Sequence, residues 1–394
     1  MNFAVLGLGR MGEAIVYDLL KFSPEAKVFG YELNDERRKY IVDRFSENNN
    51  RFSAYPLNLD LTQPMNQNQL LNDFKNNQIG VVFGAIDYKF NVYLTRLCIE
   101  AKVSFCDLGG NPYIVKSQKE LHNQAKEAGV TIIPDLGLAP GMADIIAAQG
   151  MGSFDELIEC HIRVGGLPQP QYKKSILNYQ QVFSIRGLTN EYLEDAIVIR
   201  NGQLTKVPSM TEVEDIKFPA PYGMLEAFQT AGGTSSLPEL FEGKIQELTY
   251  KTIRYPGHAQ FIQFLKEFEL LSSESNLKLN GSNPREVVEF YLEKNMPKGD
   301  PDVVLIKIVV YGKRDGTSFI KEYLLVDEFN PKTNFTSMAR TTSYPISIIG
   351  QMIANGVINS KGVIPGETVV PEKEFLEDLE KRNIVFTVTE KMTD

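Results

Sequence analysis

A glycine-rich turn near the start of the chain constrains the fold more than any other stretch. The apolar run 3–6 leads into Gly7-x-Gly9-x-x-Gly12, and a helical pattern begins at Arg10. Gly7 permits a tight turn, Gly9 lets a diphosphate approach the backbone, and Gly12 allows the helix to pack closely on the strand. Because a helix N-terminus attracts anions, this order of elements predicts dinucleotide binding. A ligand-free turn is the alternative for the glycines alone.

An acidic residue at the end of the next strand-like run supports this prediction. The run 27–31 is followed by Glu32, twenty residues after the last glycine. A carboxylate there can accept hydrogen bonds from the adenosine ribose, whereas a 2′-phosphate would meet a like charge. The sequence therefore favours NAD over NADP. NADP stays open because Arg10, Arg37 and Arg38 are close enough in sequence to contact a phosphate if Glu32 turns away.

Composition and charge favour a two-domain protein without a nucleic-acid partner. The chain has 394 residues, 43% of them hydrophobic, which is enough for two buried cores. A formal net charge of -9 with scattered basic residues argues against a polyanionic partner. Three cysteines without Cys-x-x-Cys spacing predict core thiols and no metal site. With no membrane-length apolar run and no room for a signal peptide, we expect a cytoplasmic protein that does not bind membranes.

The order of predicted elements indicates an α/β fold with two domains and a returning segment. Residues 1–145 contain strand-like runs at 3–6, 27–31, 52–59, 79–85, 103–108 and 130–134, with helical periodicity at 91–101 and 117–128. This alternation predicts a Rossmann domain with a doubly wound parallel sheet. Hairpin signals at Asn201-Gly202 and Asp315-Gly316 predict a mainly antiparallel sheet in a substrate-binding and dimerisation α+β domain at 146–335. Residues 336–394, with an apolar helix at 344–356, are expected to return to the Rossmann domain.

The predicted strands end in polar residues, and ligands in such sheets bind outside the carboxyl edge. Asp60 follows the third strand and could meet the adenine, while Ala85, Tyr88 and Asp107 would lie nearer the nicotinamide. Asp135 follows the sixth strand. Each aspartate could instead cap the next helix. The predicted cofactor-binding residues are Gly7, Gly9, Arg10, Met11, Gly12, Glu32, Asp60, Ala85 and Asp107.

Several stretches of the chain, in one order up to about residue 371, resemble the saccharopine dehydrogenase-like family. They are 131–142, Val164-Gly-Gly-Leu-Pro168, Val198-Ile-Arg-Asn-Gly202, Leu225-Glu-Ala-Phe228, Gly232-Gly-Thr-Ser-Ser236, 250–258 and Ser337-Met-Ala-Arg340. Within the family they are similar in particular to the bacterial L-lysine 6-dehydrogenases. The resemblance implies NAD-linked oxidative deamination of the lysine side-chain amine to 2-aminoadipate 6-semialdehyde, which cyclises, with release of ammonia. It also implies a homo-oligomer built through the second domain.

Two other functions stay open at this point. Family members that form or cleave saccharopine share the imine chemistry, and Arg186 resembles those enzymes, whose substrate carries additional carboxylates. Arg186 could equally form an ion pair within the chain. A dinucleotide-binding regulator without turnover would keep the same fold.

The expected chemistry requires a base and a partner for the substrate carboxylate. Because only a neutral amine can be oxidised, Asp135 or His258 is the candidate base, although a structural role for His258 is an equal alternative. Tyr88 could hydrogen-bond substrate or nicotinamide. Arg254 is the predicted partner of the α-carboxylate, because a guanidinium can bind it through two parallel hydrogen bonds. The turn that holds Thr234 and Ser235 could assist, or could serve the chain only as a tight turn.

Overall fold

The computed structural model describes residues 1–57, 64–274, 278 and 281–393, with the side chains of 64–67 left out. The chain forms two compact units. The first consists of Met1–Ile146 and Ala339–Ile384, and the second of Ala147–Met338 and Val385–Asp394. Each unit is therefore assembled from two separate stretches of the chain.

Strands and helices alternate along the first stretch, whereas strands dominate the second unit. Within the described ranges, the strands are β1 (Asn2–Leu6), β2 (Val28–Glu32), β3 (Phe52–Pro56), β4 (Ile79–Gly84), β5 (Ser104–Asp107), β6 (Thr131–Ile133), β7 (Glu156–Pro168), β8 (Ala196–Arg200), β9 (Gln203–Val207), β10 (Glu214–Phe218), β11 (Gly223–Gln229), β12 (Glu247–Arg254), β13 (Asp302–Arg314), β14 (Thr317–Glu328), β15 (Gly362–Val363) and β16 (Thr387–Met392). The α-helices are α1 (Arg10–Phe22), α2 (Asp35–Arg44), α3 (Pro64–Asn76), α4 (Asn91–Ala101), α5 (Pro112–Lys119), α6 (His122–Ala128), α7 (Met142–Met151), α8 (Ile185–Leu193), α9 (Leu237–Phe241), α10 (His258–Glu267), α11 (Pro284–Asn295), α12 (Ser337–Ala354) and α13 (Glu372–Lys381).

A seven-stranded parallel sheet forms the centre of the first unit. Its order is β15-β6-β5-β4-β1-β2-β3, so the strand order reverses between β1 and β4. Ala4, Val82 and Phe105 in its central strands are completely buried, as expected when helices cover both faces. The predicted Rossmann-type fold and its six strands are confirmed. The predicted helix 117–128 is instead two helices, because Asn111 caps a helix that Pro112 begins, and this helix ends before Leu121.

The C-terminal stretch differs from the prediction in two places. The helix expected at 344–356 begins at Ser337, so Pro345 lies inside α12 and not in its first turn. The expectation that all of 336–394 returns to the first unit is wrong for the last strand. Residues of β16 pair antiparallel with β14, where an open strand edge satisfies their backbone groups.

A nine-stranded mixed sheet forms the second unit. Its main path is β10-β11-β12-β7-β13-β14-β16, while β8 pairs with β12 and β9 pairs with β8. Among the described strand pairs of this sheet, only β7 and β12 run parallel. The predicted hairpin turns are confirmed, since both residues of Asn201-Gly202 and of Asp315-Gly316 have positive φ angles. Leu167, Ile253 and Leu305 on the sheet belong to the same buried cluster as residues of α8 and α10. The mainly antiparallel character predicted for this unit therefore holds.

Candidate active site

The glycine turn after β1 has the shape that a dinucleotide diphosphate requires. Gly7 has a φ of 89°, and a Cβ there would lie 2.5 Å from the carbonyl oxygen of Ala85. A Cβ on Gly12 would lie 1.8 Å from the carbonyl oxygen of Gly7, whereas no atom lies within 4 Å of a Cβ on Gly9. The turn is thus closed beneath Gly7 and Gly12 and open above Gly9. Because this opening meets the N-terminus of α1, these residues fit the diphosphate of a nicotinamide dinucleotide.

Glu32 keeps its carboxylate beside this turn. One carboxylate oxygen accepts a hydrogen bond from the backbone N–H of Leu8 at 2.8 Å, and the other accepts one from Asn34 at 2.9 Å. Two backbone donors therefore hold the side chain at the end of β2. The condition under which the sequence left NADP open, with Glu32 turned away, does not occur in this structure.

The neighbouring arginines are engaged within the first unit. Arg37 forms an ion pair with Glu13, and Arg38 forms one with Asp35 at 2.5 Å. Arg10 is exposed at the first residue of α1. Arg10 is therefore better placed to contact a phosphate than the other two arginines.

The remaining predicted cofactor residues are less informative. Met11 is half-buried, and its carbonyl oxygen accepts a hydrogen bond from Ser343 at 3.0 Å. Ala85 is half-buried beside Gly7. Asp60 lies outside the described residues.

Asp107 and Asp135 end neighbouring strands and lie close together. Asp107 is completely buried, and its Oδ1 accepts hydrogen bonds from the backbone N–H groups of Gly109 at 2.8 Å and Asp135 at 3.4 Å. Its Oδ2 accepts one from Gln118 at 2.7 Å. Asp135 is 6% exposed, has a φ of 58°, and accepts a hydrogen bond from Gly110 at 3.3 Å. The two aspartates therefore form a carboxyl pair at the edge of the sheet.

Burial controls the protonation of Asp107. Loss of solvation raises the pKa of Asp107 to about 7; the charge of Asp135 adds to the rise, whereas the hydrogen bond from Gln118 opposes it. A Cβ on Gly110 would lie 3.1 Å from the ring of Tyr88, so this ring stands next to the pair. The structure thus brings together Tyr88, Asp107 and Asp135. Asp107, predicted to contact the cofactor, is instead completely buried, because it is the last residue of a strand with neighbours on both sides.

A second candidate group lies in the second unit, at the end of β12. Arg254 is 3% exposed and donates hydrogen bonds from Nε to the Tyr192 hydroxyl at 3.2 Å and from Nη1 to the Ile253 carbonyl at 2.9 Å. Its guanidinium lies over the ring of Tyr179 at 4.6 Å. Nη2 lies 4.0 Å from the carboxylate of Glu191. The predicted carboxylate-binding arginine is therefore held in place by aromatic side chains and faces an acid that was not predicted.

His258 is unsuited to the role of base. It is 2% exposed, and its two ring nitrogens lie 3.1 Å from the Leu177 carbonyl oxygen and 3.0 Å from the Tyr192 hydroxyl. Phe228 stacks on its ring. Burial, followed by the charge of Arg254, lowers the pKa of His258 to about 3. A histidine that stays neutral and hydrogen-bonded on both sides supports the structural alternative, which corrects its candidacy as a catalytic residue.

The glycine-rich turn that follows β11 begins against the end of α8. The backbone N–H of Ala231 donates to the carbonyl oxygen of Glu191 at 3.0 Å. Thr234 is 7% exposed, its carbonyl oxygen accepts a hydrogen bond from Leu237, and Ser235 is half-buried with a φ of 41°. Sequence reasoning missed Glu191, because a single glutamate within a helical stretch carries no local signal of its tertiary neighbours.

Arg186 forms an ion pair within the chain, which is one of the two roles that the sequence left open for it. It is exposed and forms an ion pair with Glu289 at 3.1 Å. Glu289 also accepts hydrogen bonds from Thr189 and Arg285. The structure therefore places Arg186 at the edge of a polar network between α8 and α11.

Among the residues that the structure describes, no three His, Cys, Asp or Glu side chains lie together in a way that could hold a metal ion. In the same ranges, no helix has the length and apolar character needed to cross a membrane. Cys98, Cys106 and Cys160 are buried thiols.

Two family models together match most of the chain. The model described as the saccharopine dehydrogenase NADP binding domain matches residues 3–133, and the saccharopine dehydrogenase C-terminal domain matches residues 137–385. Among solved structures, apo histidine-tagged saccharopine dehydrogenase (L-Glu forming) from Saccharomyces cerevisiae has a TM-score of 0.81 at 18% identity, covering 100% of both chains. This likeness shows a shared fold.

Curated relatives are distant and mostly longer. Mitochondrial alpha-aminoadipic semialdehyde synthase of Mus musculus is 21% identical over 78% of this chain and 40% of its own length. Saccharopine dehydrogenase [NADP(+), L-glutamate-forming] of Pyricularia oryzae is 24% identical over 57% of this chain and 50% of its own length. Three mammalian synthases are matched over 22%, 40% and 28% of their length. The chain thus spans less than half of these synthases.

Proposed function

This chain belongs to the saccharopine dehydrogenase family of oxidoreductases, and we propose that it oxidises the carbon–nitrogen bond of saccharopine with NADP. Three relatives are named saccharopine dehydrogenase [NADP(+), L-glutamate-forming], and others are named for aminoadipic semialdehyde. These names support saccharopine over L-lysine as the substrate. The products would be L-glutamate and 2-aminoadipate 6-semialdehyde, with water consumed and one proton released. When bound, NADP would supply the acceptor for the hydride.

The carboxyl pair of Asp107 and Asp135 carries this proposal, because amine oxidation needs a proton acceptor. An amine with a pKa of about 10.4 is neutral in only about one molecule in 2,500 at pH 7, which corresponds to about 4.6 kcal/mol. Burial raises the pKa of Asp107 to about 7, so the pair can change protonation near neutral pH. Asp135, which at 6% exposure is the less buried of the two, would take the proton from the substrate nitrogen.

NADP is the proposed cofactor because the matching family model and the named dehydrogenases specify it. Glu32 opposes this preference, since its carboxylate remains at the predicted ribose position. We therefore expect only a modest preference for NADP over NAD, in place of the preference for NAD that the sequence alone favours. The exposed guanidinium of Arg10 is the proposed contact for the 2′-phosphate.

The Glu32→Gln substitution should raise the preference for NADPH over NADH about tenfold, because it removes a like charge facing the 2′-phosphate. The amide oxygen can still accept the hydrogen bond from Leu8. Fluorescence titration of both reduced cofactors measures the two Kd values. Glu36→Gln, a substitution of an exposed acid on α2, is the control and should leave the ratio unchanged. An unchanged ratio in Glu32→Gln would place the 2′-phosphate away from this carboxylate.

Oxidative deamination of L-lysine is the second candidate, and the ion pair between Arg186 and Glu289 favours it. An arginine already paired with a carboxylate is less available for the additional carboxylates of saccharopine. Arg186→Gln should leave the KM for saccharopine within about twofold, because exposed ion pairs contribute little. A much higher KM with unchanged kcat would instead make Arg186 a substrate ligand.

Parallel assays test the proposed function. Reduced-cofactor formation is followed with L-saccharopine or L-lysine, each with NADP and with NAD, and the second product is identified as glutamate or ammonia. Turnover of saccharopine with release of glutamate supports the proposal. Turnover of lysine with release of ammonia moves the function to the second candidate. Cofactor binding without turnover of either amine would indicate the regulator that the fold also allows.

A further inference from the structure

Arg254 and Glu191 form a charged pair that no direct hydrogen bond joins. Their closest approach is 4.0 Å, between Nη2 and a carboxylate oxygen. The other buried arginines of the second unit are in hydrogen-bond contact with their acids, Arg163 with Glu214 at 2.5 Å and Arg285 with Glu289 at 2.7 Å. The spacing of the first pair is therefore exceptional for a buried arginine in this unit.

The unsatisfied groups of this pair face each other. Nε and Nη1 of Arg254 donate to Tyr192 and Ile253, whereas Nη2 donates no hydrogen bond within the described part of the chain. The side chain is nevertheless 97% buried, so little water is available to this nitrogen in place of a protein acceptor. The carboxylate of Glu191 likewise accepts no hydrogen bond from the described residues, and its side chain is 30% exposed. Nη2 of Arg254 and the carboxylate of Glu191 are thus available to a ligand, and the carboxylate side of the pair is partly exposed to solvent.

We propose that Arg254 and Glu191 together bind the α-amino acid head group of the substrate. Arg254 would bind the α-carboxylate, and Glu191 would bind the α-ammonium group. A zwitterionic head group carries these two charges on one carbon, so neighbouring charges of opposite sign in the protein complement it. The inference rests on the proposed function in requiring an amino acid substrate. It holds equally for saccharopine and for L-lysine, because both carry this head group.

The histidine and the two tyrosines beside Arg254 are uncharged near neutral pH. His258 is neutral there, because burial and then the charge of Arg254 lower its pKa to about 3. Burial raises the pKa of Tyr192 to about 12 and that of Tyr179 further, so both hydroxyls stay protonated. Among the described side chains that contact Arg254, Glu191 is thus the one that can carry a negative charge. Burial raises the pKa of its carboxyl group to about 7 while the charge of Arg254 opposes the rise, so Glu191 is ionised above that pH. This makes Glu191 the group that would distinguish an amino acid from the corresponding diacid.

Binding of two matched ligands tests the proposal without turnover. L-2-aminoadipate has the head group, and adipate has the same carbon chain and carboxylates but no amine. Calorimetric titration of the full chain with NADP present measures both Kd values for the wild type, for Glu191→Gln and for Glu194→Gln. Glu194 lies exposed at the end of the same helix, so its substitution is the matched control.

The wild type should bind L-2-aminoadipate about 10- to 100-fold more tightly than adipate, the range for one charge-assisted hydrogen bond. Glu191→Gln should abolish most of this preference and leave the Kd for adipate within about threefold, whereas Glu194→Gln should keep the preference. A wild type without the preference, a Glu191→Gln variant that retains it, or an equal weakening of both ligands would overturn the proposal. If the preference depends on Glu191 but saccharopine and lysine are not turned over, head-group binding stands and the proposed reaction fails.

Discussion

Asp107→Asn should lower kcat/KM for amine oxidation about 10²- to 10⁴-fold at pH 8, the range expected when general-base catalysis is lost. Asp107 acts through Asp135, whose backbone N–H it binds and whose charge it senses. Without the negative charge of Asp107 beside it, Asp135 would attract the proton of the substrate nitrogen less strongly. Stopped-flow or steady-state oxidation of saccharopine, or of lysine if that is the substrate, measures the loss.

The pH profile separates this positioning role from simple damage to the fold. Ionisation of Asp107 places a negative charge beside the base Asp135, so kcat/KM should rise as the pH increases through about 7, the value to which burial raises the pKa of Asp107. In Asp107→Asn this rise should be absent. Asp144→Asn is the matched control, since Asp144 is also buried in the first unit and burial raises its pKa well above the ordinary value. Asp144 accepts its hydrogen bond from the backbone of Gly141, so its substitution should change the profile less than that of Asp107 does.

Stability should change in the opposite direction from activity. The raised pKa means that the folded protein retains a proton on Asp107 that the unfolded chain loses near pH 4. The unfolding free energy therefore falls as the pH increases from about 4 to 7, by roughly 4 kcal/mol as an upper limit. Asp107→Asn should lack this fall. A variant that loses activity and is also less stable at pH 8 than the wild type would contradict the assignment.

Local patterns in the sequence identified the elements of this site but not their coupling. The positions of Asp107 and Asp135 at strand ends followed from apolar runs and strand periodicity. Their pairing depends on the positive φ angle of Asp135 and on Gly109, where a Cβ would lie 1.6 Å from an Asp135 oxygen. The glycine pair after Asp107 was the available signal, because such close approach excludes a side chain.

One physical cause explains why the sequence suggested a catalytic role for His258 and missed Glu191. Local sequence indicated a histidine after a glycine turn, yet its neighbours Tyr179 and Tyr192 come from segments more than sixty residues earlier in the chain. These long-range contacts bury His258 and leave Glu191 facing Arg254. Burial and charge at such positions depend on packing between distant segments, which periodicity and spacing do not report.

Arg382→Met should destabilise the first unit by about 3–5 kcal/mol, because it leaves a buried carboxylate without its counter-charge. Arg382 is 5% exposed and donates two hydrogen bonds to Asp18, at 2.7 and 3.0 Å, while Asp18 is completely buried. Its guanidinium also lies over the ring of Phe22 at 3.9 Å. This pair joins the C-terminal end of the first unit to α1, so hydrogen exchange of the α1 amides measures the loss where it occurs.

Two further variants show whether the unpaired charge causes the loss. Lys381→Met removes an exposed pair with Asp378 and should change the free energy by less than about 1 kcal/mol. Combining Arg382→Met with Asp18→Asn should recover part of the stability, because no charge is then left buried and Ser347 and Gln351 can still bond to the amide oxygen. A double variant as unstable as the sum of the single variants would attribute the loss to packing against Phe22 instead. In that case the contact with Phe22, and not the buried ion pair, holds the returning segment on α1.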